Sequence, residues 1–261
     1  MGITVPFFRP WVGEEEIAEV VEVLKGGWLT TGPRTHRFEA EFAAAVGAKH
    51  AIAVNSCTAA LHLALEAIGL QRGDLALVPS LTFAATAEVV RYFDAIPVLV
   101  ECDPDTFLMD MADAEDKLER LSKGLPVAGV PEVYEGSVKA ILPMHYGGQM
   151  ADVLGARRLA DKYGLRVIED AAHTLPASWR EGEGSPWESV GGSADITCFS
   201  FYANKTITTG EGGMAVTNSA EWADRMKIMS LHGISRDAWK RFSLAGSWYY
   251  EIIAPGFKYN L

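Results

Sequence analysis

Cysteine is scarce in this chain, and its basic residues never cluster. Only Cys57, Cys102 and Cys198 occur among 261 residues, far apart and without a CxxC pair. That usage favours three reduced thiols. The 23 Lys and Arg are outnumbered by 34 Asp and Glu, for a net charge of −11, and nowhere form a run. Nucleic acids and anionic membranes both require a Lys/Arg footprint, so neither is expected as a main partner. Anionic small molecules stay open, because local dipoles rather than net charge hold them. No apolar run approaches transmembrane length. The opening "MGITVPFFRPWVGEEE" has no basic region leading into a long apolar stretch, which argues against a signal peptide. Pro6 stands where a myristoylation signal needs Ser or Thr. A soluble, cytoplasmic protein is the expectation.

What is present is ordinary globular material, with 49% hydrophobic and 22% charged residues. The length suits one large α/β domain, or one and a half. Helical and strand patterns alternate. "EEEIAEVVEVLKGG" sets Ile17, Val20, Val21 and Leu24 on one helical face, acidic at its start and glycine-closed at its end. "RFEAEFAAAVG", "CTAALHLALEAIG", "FAATAEVVRYF", "DMADAEDKLERL", "ADVLGARRLADKYG" and "AEWADRMKIMSLHG" read as further helices. "HAIAVNS", "LALVPS", "IPVLVE", "VKAILPM", "LRVIED", "DITCFSF" and "GMAVTN" read as strands. Residues 176–192 read as an exposed loop. Apolar strands alternating with amphipathic helices predict a mainly parallel sheet covered on both faces. In such sheets ligands bind beyond the carboxyl ends of the strands. Asn55–Ser56, Pro79–Ser80, Met144–His145, Glu169–Asp170 and Ser200 stand at such ends.

The residue that asks for an explanation is Lys205, in "SFYANKTITTGEGG" at 200–213. Lysine normally belongs on a solvated face. This one follows an apolar strand, has the uncharged neighbours Asn204, Thr206, Thr208 and Thr209, and precedes glycines expected to leave space around it. A desolvated lysine loses proton affinity and becomes an amine nucleophile for Schiff-base chemistry. A P-loop is rejected, since no glycine lies between 193 and 209. "GEGGMA" fits a dinucleotide fingerprint in letters, but a β-like segment follows where a helix is needed. A nicotinamide-dependent oxidoreductase is therefore the weaker reading.

Three other strand ends carry candidate chemistry. In "VIEDAAH", Asp170 is either a helix N-cap or a buried carboxylate facing a cationic ring nitrogen, as a pyridoxal phosphate (PLP) enzyme needs. A metal site built on Asp170 and His173 lacks a clear third ligand. In "VNSCTAALHLAL", Ser56, Cys57 and Thr58 open a helix whose amides and dipole form an anion site, or Ser56 or Thr58 is a plain cap. In "VPSLTFAAT", Phe83 is either core or stacked on an aromatic ligand. An anion site, an aromatic ring, a carboxylate and a lysine, in that order, match the phosphate, ring face, ring nitrogen and aldehyde carbon of PLP.

The ordered set "GPRTHRFEAEFA", "NSCTAALHLAL", "VPSLTFAATA", "GGQMAD", "VIEDAAHTL", "SFYANKTITTGEGG", "HG" and "PGFKYNL" resembles the DegT/DnrJ/EryC1/StrS family of PLP-dependent sugar aminotransferases, from about Val5 to Leu261. The resemblance implies the α/β type I PLP aminotransferase fold, with a mostly parallel seven-stranded sheet sandwiched by helices. It divides the chain into an N-terminal helical segment (1–25), a large PLP-binding domain (26–250) and the start of a connection (251–261) to a small C-terminal domain that is absent here. It implies that Lys205 forms the Schiff base, that Asp170 pairs with the pyridine nitrogen and that His173 lies near the ring hydroxyl. Phe83 would stack on the ring. Ser56, Cys57, Thr58, Ser200 and Asn204 would line the phosphate and cofactor site, with Cys57 standing where relatives carry glycine. Asn260 would reach the phosphate of a neighbouring subunit, in an obligate homodimer with shared sites. The implied reaction is ping-pong transfer of an amino group from glutamate to a nucleotide-linked keto sugar, releasing 2-oxoglutarate. Related dehydratases carry histidine in place of the lysine, so Lys205 favours transamination. The alternative is a truncated, catalytically silent homologue that binds PLP or a partner without turnover.

Overall fold

The computed structural model describes residues 5, 6, 8–235 and 250–261. Residues 1–4 and 7 of the expected helical segment, and 236–249 of the expected large domain, lie outside the described residues. In chain order the elements are α1 (Glu14–Gly26), α2 (Pro33–Ala45), β1 (His50–Val54), α3 (Cys57–Ala67), β2 (Leu75–Pro79), α4 (Ala84–Arg91) and β3 (Ile96–Val100). There follow α5 (Met111–Ser122), β4 (Val138–Ile141), a 3-10 turn (Tyr146–Gly148), α6 (Val153–Tyr163) and β5 (Arg166–Asp170). The remainder are β6 (Ser178–Trp179), β7 (Glu188–Ser189), β8 (Ile196–Ser200), β9 (Gly213–Thr217) and α7 (Ala220–Ser230).

Seven strands form one sheet in the order β1-β9-β8-β5-β4-β2-β3. Only β9 runs antiparallel to its neighbours; the other pairings are parallel. The inner strands bury both faces, which is why their sequences read as continuous apolar runs rather than as alternation, whereas the edge strand β3 leaves Leu99 exposed. In β1, Ile52 and Val54 pack under α3 with Leu61, Leu65 and Ile196. Ala51 and Ala53 turn the other way, toward Phe42, Phe199 and Phe201. Val167 of β5 joins Leu77, Ile141 and Leu159 beneath α5 and α6. Full burial of a side chain such as Leu65, Leu77 or Phe199 contributes roughly 2–3 kcal/mol of transfer free energy.

The helix ends are written in polar residues. Asp110, Asp152 and Ser219 cap α5, α6 and α7 by accepting first-turn amide hydrogen bonds. Gly27 and Gly164 close α1 and α6 in the left-handed conformation, at φ 74° and 72°. Among the described residues no helix is long and apolar enough to cross a membrane.

Two segments differ from expectation or extend it. Residues 176–192 are not a plain loop. Ser178 pairs with Ser189 and Trp179 with Glu188 in a short antiparallel ribbon, with the Gly/Glu/Ser stretch between them as its turn. Arg180 covers the face of Trp187 at 4.7 Å. The second segment is the C-terminal stretch, which folds back along the sheet. The Asn55 amide donates to the Tyr259 carbonyl at 2.8 Å, and those of Phe257 and Tyr259 donate to Met229 and Ser230 at 2.7 and 2.8 Å. His62 of α3 anchors it, with Nδ1 3.0 Å from the Tyr259 hydroxyl and its ring against Phe257, Tyr92 and Phe93.

Candidate active site

The parallel strands end together, and their first turns converge on one edge of the sheet. β5 ends in Asp170, which is 3% exposed. The next strand, β8, ends in Ser200, and the chain turns immediately, with the Lys205 amide donating to the Tyr202 carbonyl at 2.9 Å. On the far side of β9, β1 ends at Val54 and the chain enters α3 through Ser56.

Asp170 bears on Lys205, and both bear on Cys57 and His173. Partial burial lowers the proton affinity of the Lys205 amine, with Cys57 and Asp170 opposing that shift. Burial pushes the Cys57 thiol well above the ordinary range, Asp170 and Cys198 push it further, and Lys205 acts against them. Cys57 is thus held as a neutral thiol rather than a nucleophile. His173 is exposed at its edge, and its proton affinity is lowered first by partial burial and then by Lys205, against the pull of Asp170.

Asp170 is not a helix cap, because no helix follows it. Its Oδ1 accepts from the Ala172 amide at 3.1 Å, closing a turn, and its Oδ2 accepts from the Thr86 hydroxyl at 2.7 Å. Among the described residues it makes no ion pair within 4 Å. A buried carboxylate with two neutral donors and no ion pair within 4 Å is matched to a protonated ring nitrogen. At α3, Ser56 is the cap: its hydroxyl accepts from the Ala59 amide at 3.0 Å, leaving Cys57 and Thr58 as the first helical residues. Phe83, at the N-cap of α4, is 75% exposed. It is therefore not core, and its ring face is free to take a flat aromatic group. The Ser200 hydroxyl accepts from the Tyr202 amide at 3.3 Å, and Asn204 is exposed in the turn before Lys205. These residues suit PLP in charge, ring face and nucleophile.

Asn260 stands apart from this group. Its side-chain amide donates to the Thr31 hydroxyl at 3.0 Å, its oxygen accepts from Lys258, and its backbone bridges to Val54. It is thereby fixed two residues from Ser56 along the sheet.

The sequence reading missed Thr86, the single hydroxyl in the apolar stretch of "FAATAEVV", which packing would explain as readily as a hydrogen bond. The glycines after Lys205 are only partly the open space expected of them. Gly210 does face open space, but a Cβ at Gly213 would collide with the Ser56–Cys57 peptide and one at Gly212 with the Thr209 hydroxyl. Gly213 lets β9 run against the entrance of α3. The buried pair His145 and Glu169, 3.6 Å apart, was also unforeseen.

A mostly parallel sheet with a partly desolvated lysine and a buried carboxylate at one edge is the arrangement that a PLP-binding fold presents to its cofactor. A sequence model of the DegT/DnrJ/EryC1/StrS aminotransferase family matches residues 10–261, and the chain belongs to that PLP-dependent family. It is 44% identical to the spore coat polysaccharide biosynthesis protein SpsC of Bacillus subtilis, over 98% of this chain and 60% of that protein. Among solved structures, a Streptococcus pneumoniae relative in its PLP form superposes with a TM-score of 0.82 at 30% identity, covering 99% of this chain and 63% of the other. DesV of S. venezuelae, in complex with a ketimine intermediate, gives 0.78 at 32% identity over 95% and 58%. The chain thus spans about 60% of the length of the relatives it matches.

Proposed function

We propose that this chain carries the PLP site of an aminotransferase that moves an amino group from glutamate to a nucleotide-linked keto sugar in two half-reactions. The observation that carries the reading is the partly desolvated Lys205 amine in the electrostatic reach of the buried Asp170, which makes no ion pair among the described residues. Bound PLP supplies an electrophilic carbon and an electron-withdrawing ring. The amine of Lys205 would hold the cofactor and, when free, would take the substrate's α-proton and deliver it to the cofactor carbon on the far side of the intervening nitrogen. Asp170 keeps a proton on the ring nitrogen. The first amides of α3, with the hydroxyls of Ser56, Thr58 and Ser200, hold the phosphate. Phe83 would cover one ring face, His173 would stand by the ring hydroxyl and Asn204 would frame the turn. Residues 1–25 precede this PLP-binding unit of 26–250, and 251–261 lead out of it. Sugar chemistry is supported by the relatives, including PseC of Helicobacter pylori, an aminotransferase of pseudoaminic acid biosynthesis.

The test is spectroscopic. Purified protein reconstituted with PLP should show a visible Schiff-base band that Lys205→Ala abolishes. Glutamate should convert bound PLP to pyridoxamine phosphate. A wild-type protein that forms no band defeats the reading. A band that glutamate leaves unchanged supports instead a PLP-binding homologue without turnover.

A further inference from the structure

Asp170 does not stand alone. Thr86, in the first turn of α4, is fully buried and gives its only hydroxyl proton to Asp170 Oδ2 at 2.7 Å. The Thr82 hydroxyl lies 2.6 Å from that of Thr86. Because the Thr86 proton is committed to the carboxylate, Thr82 must be the donor in this second bond. Thr82 is only partly buried and immediately precedes Phe83, and the Thr86 amide donates to the Phe83 carbonyl at 3.2 Å. One chain of hydroxyls therefore joins the turn carrying Phe83 to the carboxylate at the end of β5.

We infer that Thr86 is a positioning residue for the ring-nitrogen carboxylate, and that Thr82 orients it in turn. The inference rests on the reading of Asp170 given above. A donor to a carboxylate stabilises its charged form, so Thr86 biases the shared proton toward the ring nitrogen rather than toward Asp170. With Oδ2 satisfied by Thr86 and Oδ1 tied to Ala172, the carboxylate has its rotation fixed and presents its remaining lone pairs to one direction. Phe83 and Asp170, the expected contacts of ring face and ring nitrogen, are held in register by the same chain. The other titrating groups that sense Asp170 are Lys205, His173, Cys57 and Cys198. None of them donates to its oxygens among the described hydrogen bonds.

The experiment uses the full 261-residue chain, stripped of cofactor and titrated with PLP. It compares wild type with Thr86→Val, Thr86→Ser, Thr82→Val and Asp170→Asn, and reads the PLP dissociation constant and the pH midpoint of the visible band of the loaded protein. Valine keeps the shape of threonine and removes the donor. Thr86→Val should weaken PLP binding by about 10-fold, the size of one hydrogen bond to a charged group, and move the pH midpoint upward because the ring carries less positive charge. Thr86→Ser should restore both to within about twofold, and Thr82→Val should shift both in the same direction by less. Wild-type values in Thr86→Val, or an equal defect in Thr86→Ser, overturn the inference, the latter by assigning the effect to the methyl group. If Thr86→Val fails to fold, Thr82→Val decides by the same midpoint. Wild-type behaviour in Asp170→Asn would overturn the Asp170 reading and the inference together; a defect there with none in Thr86→Val overturns the inference alone.

Discussion

At the residue scale the chemistry follows from what each side chain is denied. Lys205 is denied part of its water, so its amine sheds a proton more readily than an ordinary lysine. Uptake of PLP needs the neutral amine, so the uptake rate should rise with pH and level off at a midpoint below that of free lysine, as stopped-flow absorbance would record. The stability linkage has a definite sign. A lysine with lowered proton affinity in the folded state makes that state gain stability as pH rises from its folded to its unfolded pKa, and costs stability below that window. The cofactor-free Lys205→Met protein should therefore withstand more urea at neutral pH than wild type, while losing the visible band. Gly213 is denied a side chain by the Ser56–Cys57 peptide. Gly213→Ala should cost about 1–3 kcal/mol through overpacking, read from urea midpoints. It should also weaken PLP binding, because the displaced backbone is the entrance to the anion site. Fully retained affinity would separate that glycine from the cofactor.

At the element scale, α3 links the anion site to the C-terminal stretch. Ser56→Ala removes the cap and should cost about 1 kcal/mol of stability. At the other end, burial lowers the pKa of His62 to about 4 from the ordinary 6.5. Between those values the unfolded chain binds a proton that the folded chain refuses, so stability falls as pH drops from 6.5 toward 4, by up to about 3 kcal/mol. His62→Leu should flatten that slope in urea titrations across the same range. The alternating elements were legible in sequence because parallel strands buried on both faces are written as unbroken apolar runs, and their caps as Ser, Asp and Gly. The fold-back of Phe257–Tyr259 was not, since its hydrogen bonds are backbone contacts between distant segments and leave no periodic mark. The ribbon at Ser178–Ser189 was missed for the opposite reason: two-residue strands are too short to show a period. At the site, Lys205 and Asp170 stood out as charges at the ends of apolar strands. Thr86 did not, because threonine is as common in packing as in hydrogen bonding.

At the scale of the whole molecule, the described surface is unusually apolar on one helix. Ile17, Val20 and Leu24 of α1 are 46%, 60% and 63% exposed, while Glu19 and Glu22 on the same helix pair with Arg34. Phe83 at 75% and Leu29 at 68% are exposed apolar side chains elsewhere on the described surface. Such a surface is consistent with association between copies, and in the homodimer that the family resemblance implies Asn260 would serve the neighbouring subunit. Within its own chain Asn260 is already held by Thr31 and Lys258, a fixed rather than a roaming side chain. If it serves the phosphate of the neighbouring subunit, two defective chains can repair one another. Lys205→Ala homodimers lack the amine, and Asn260→Ala homodimers lack the phosphate contact. In a mixed dimer one site carries both defects, whereas the other draws Lys205 from one chain and Asn260 from its partner, both intact. Unfolding and refolding the two variants together, with PLP present at a concentration that saturates wild type but not Asn260→Ala, should therefore restore a visible band. For random pairing, half of the dimers are mixed and each has one sound site, so the recovered high-affinity signal should approach about one quarter of wild type. A mixture that behaves as the plain average of its two parents would instead place Asn260 at the site of its own chain.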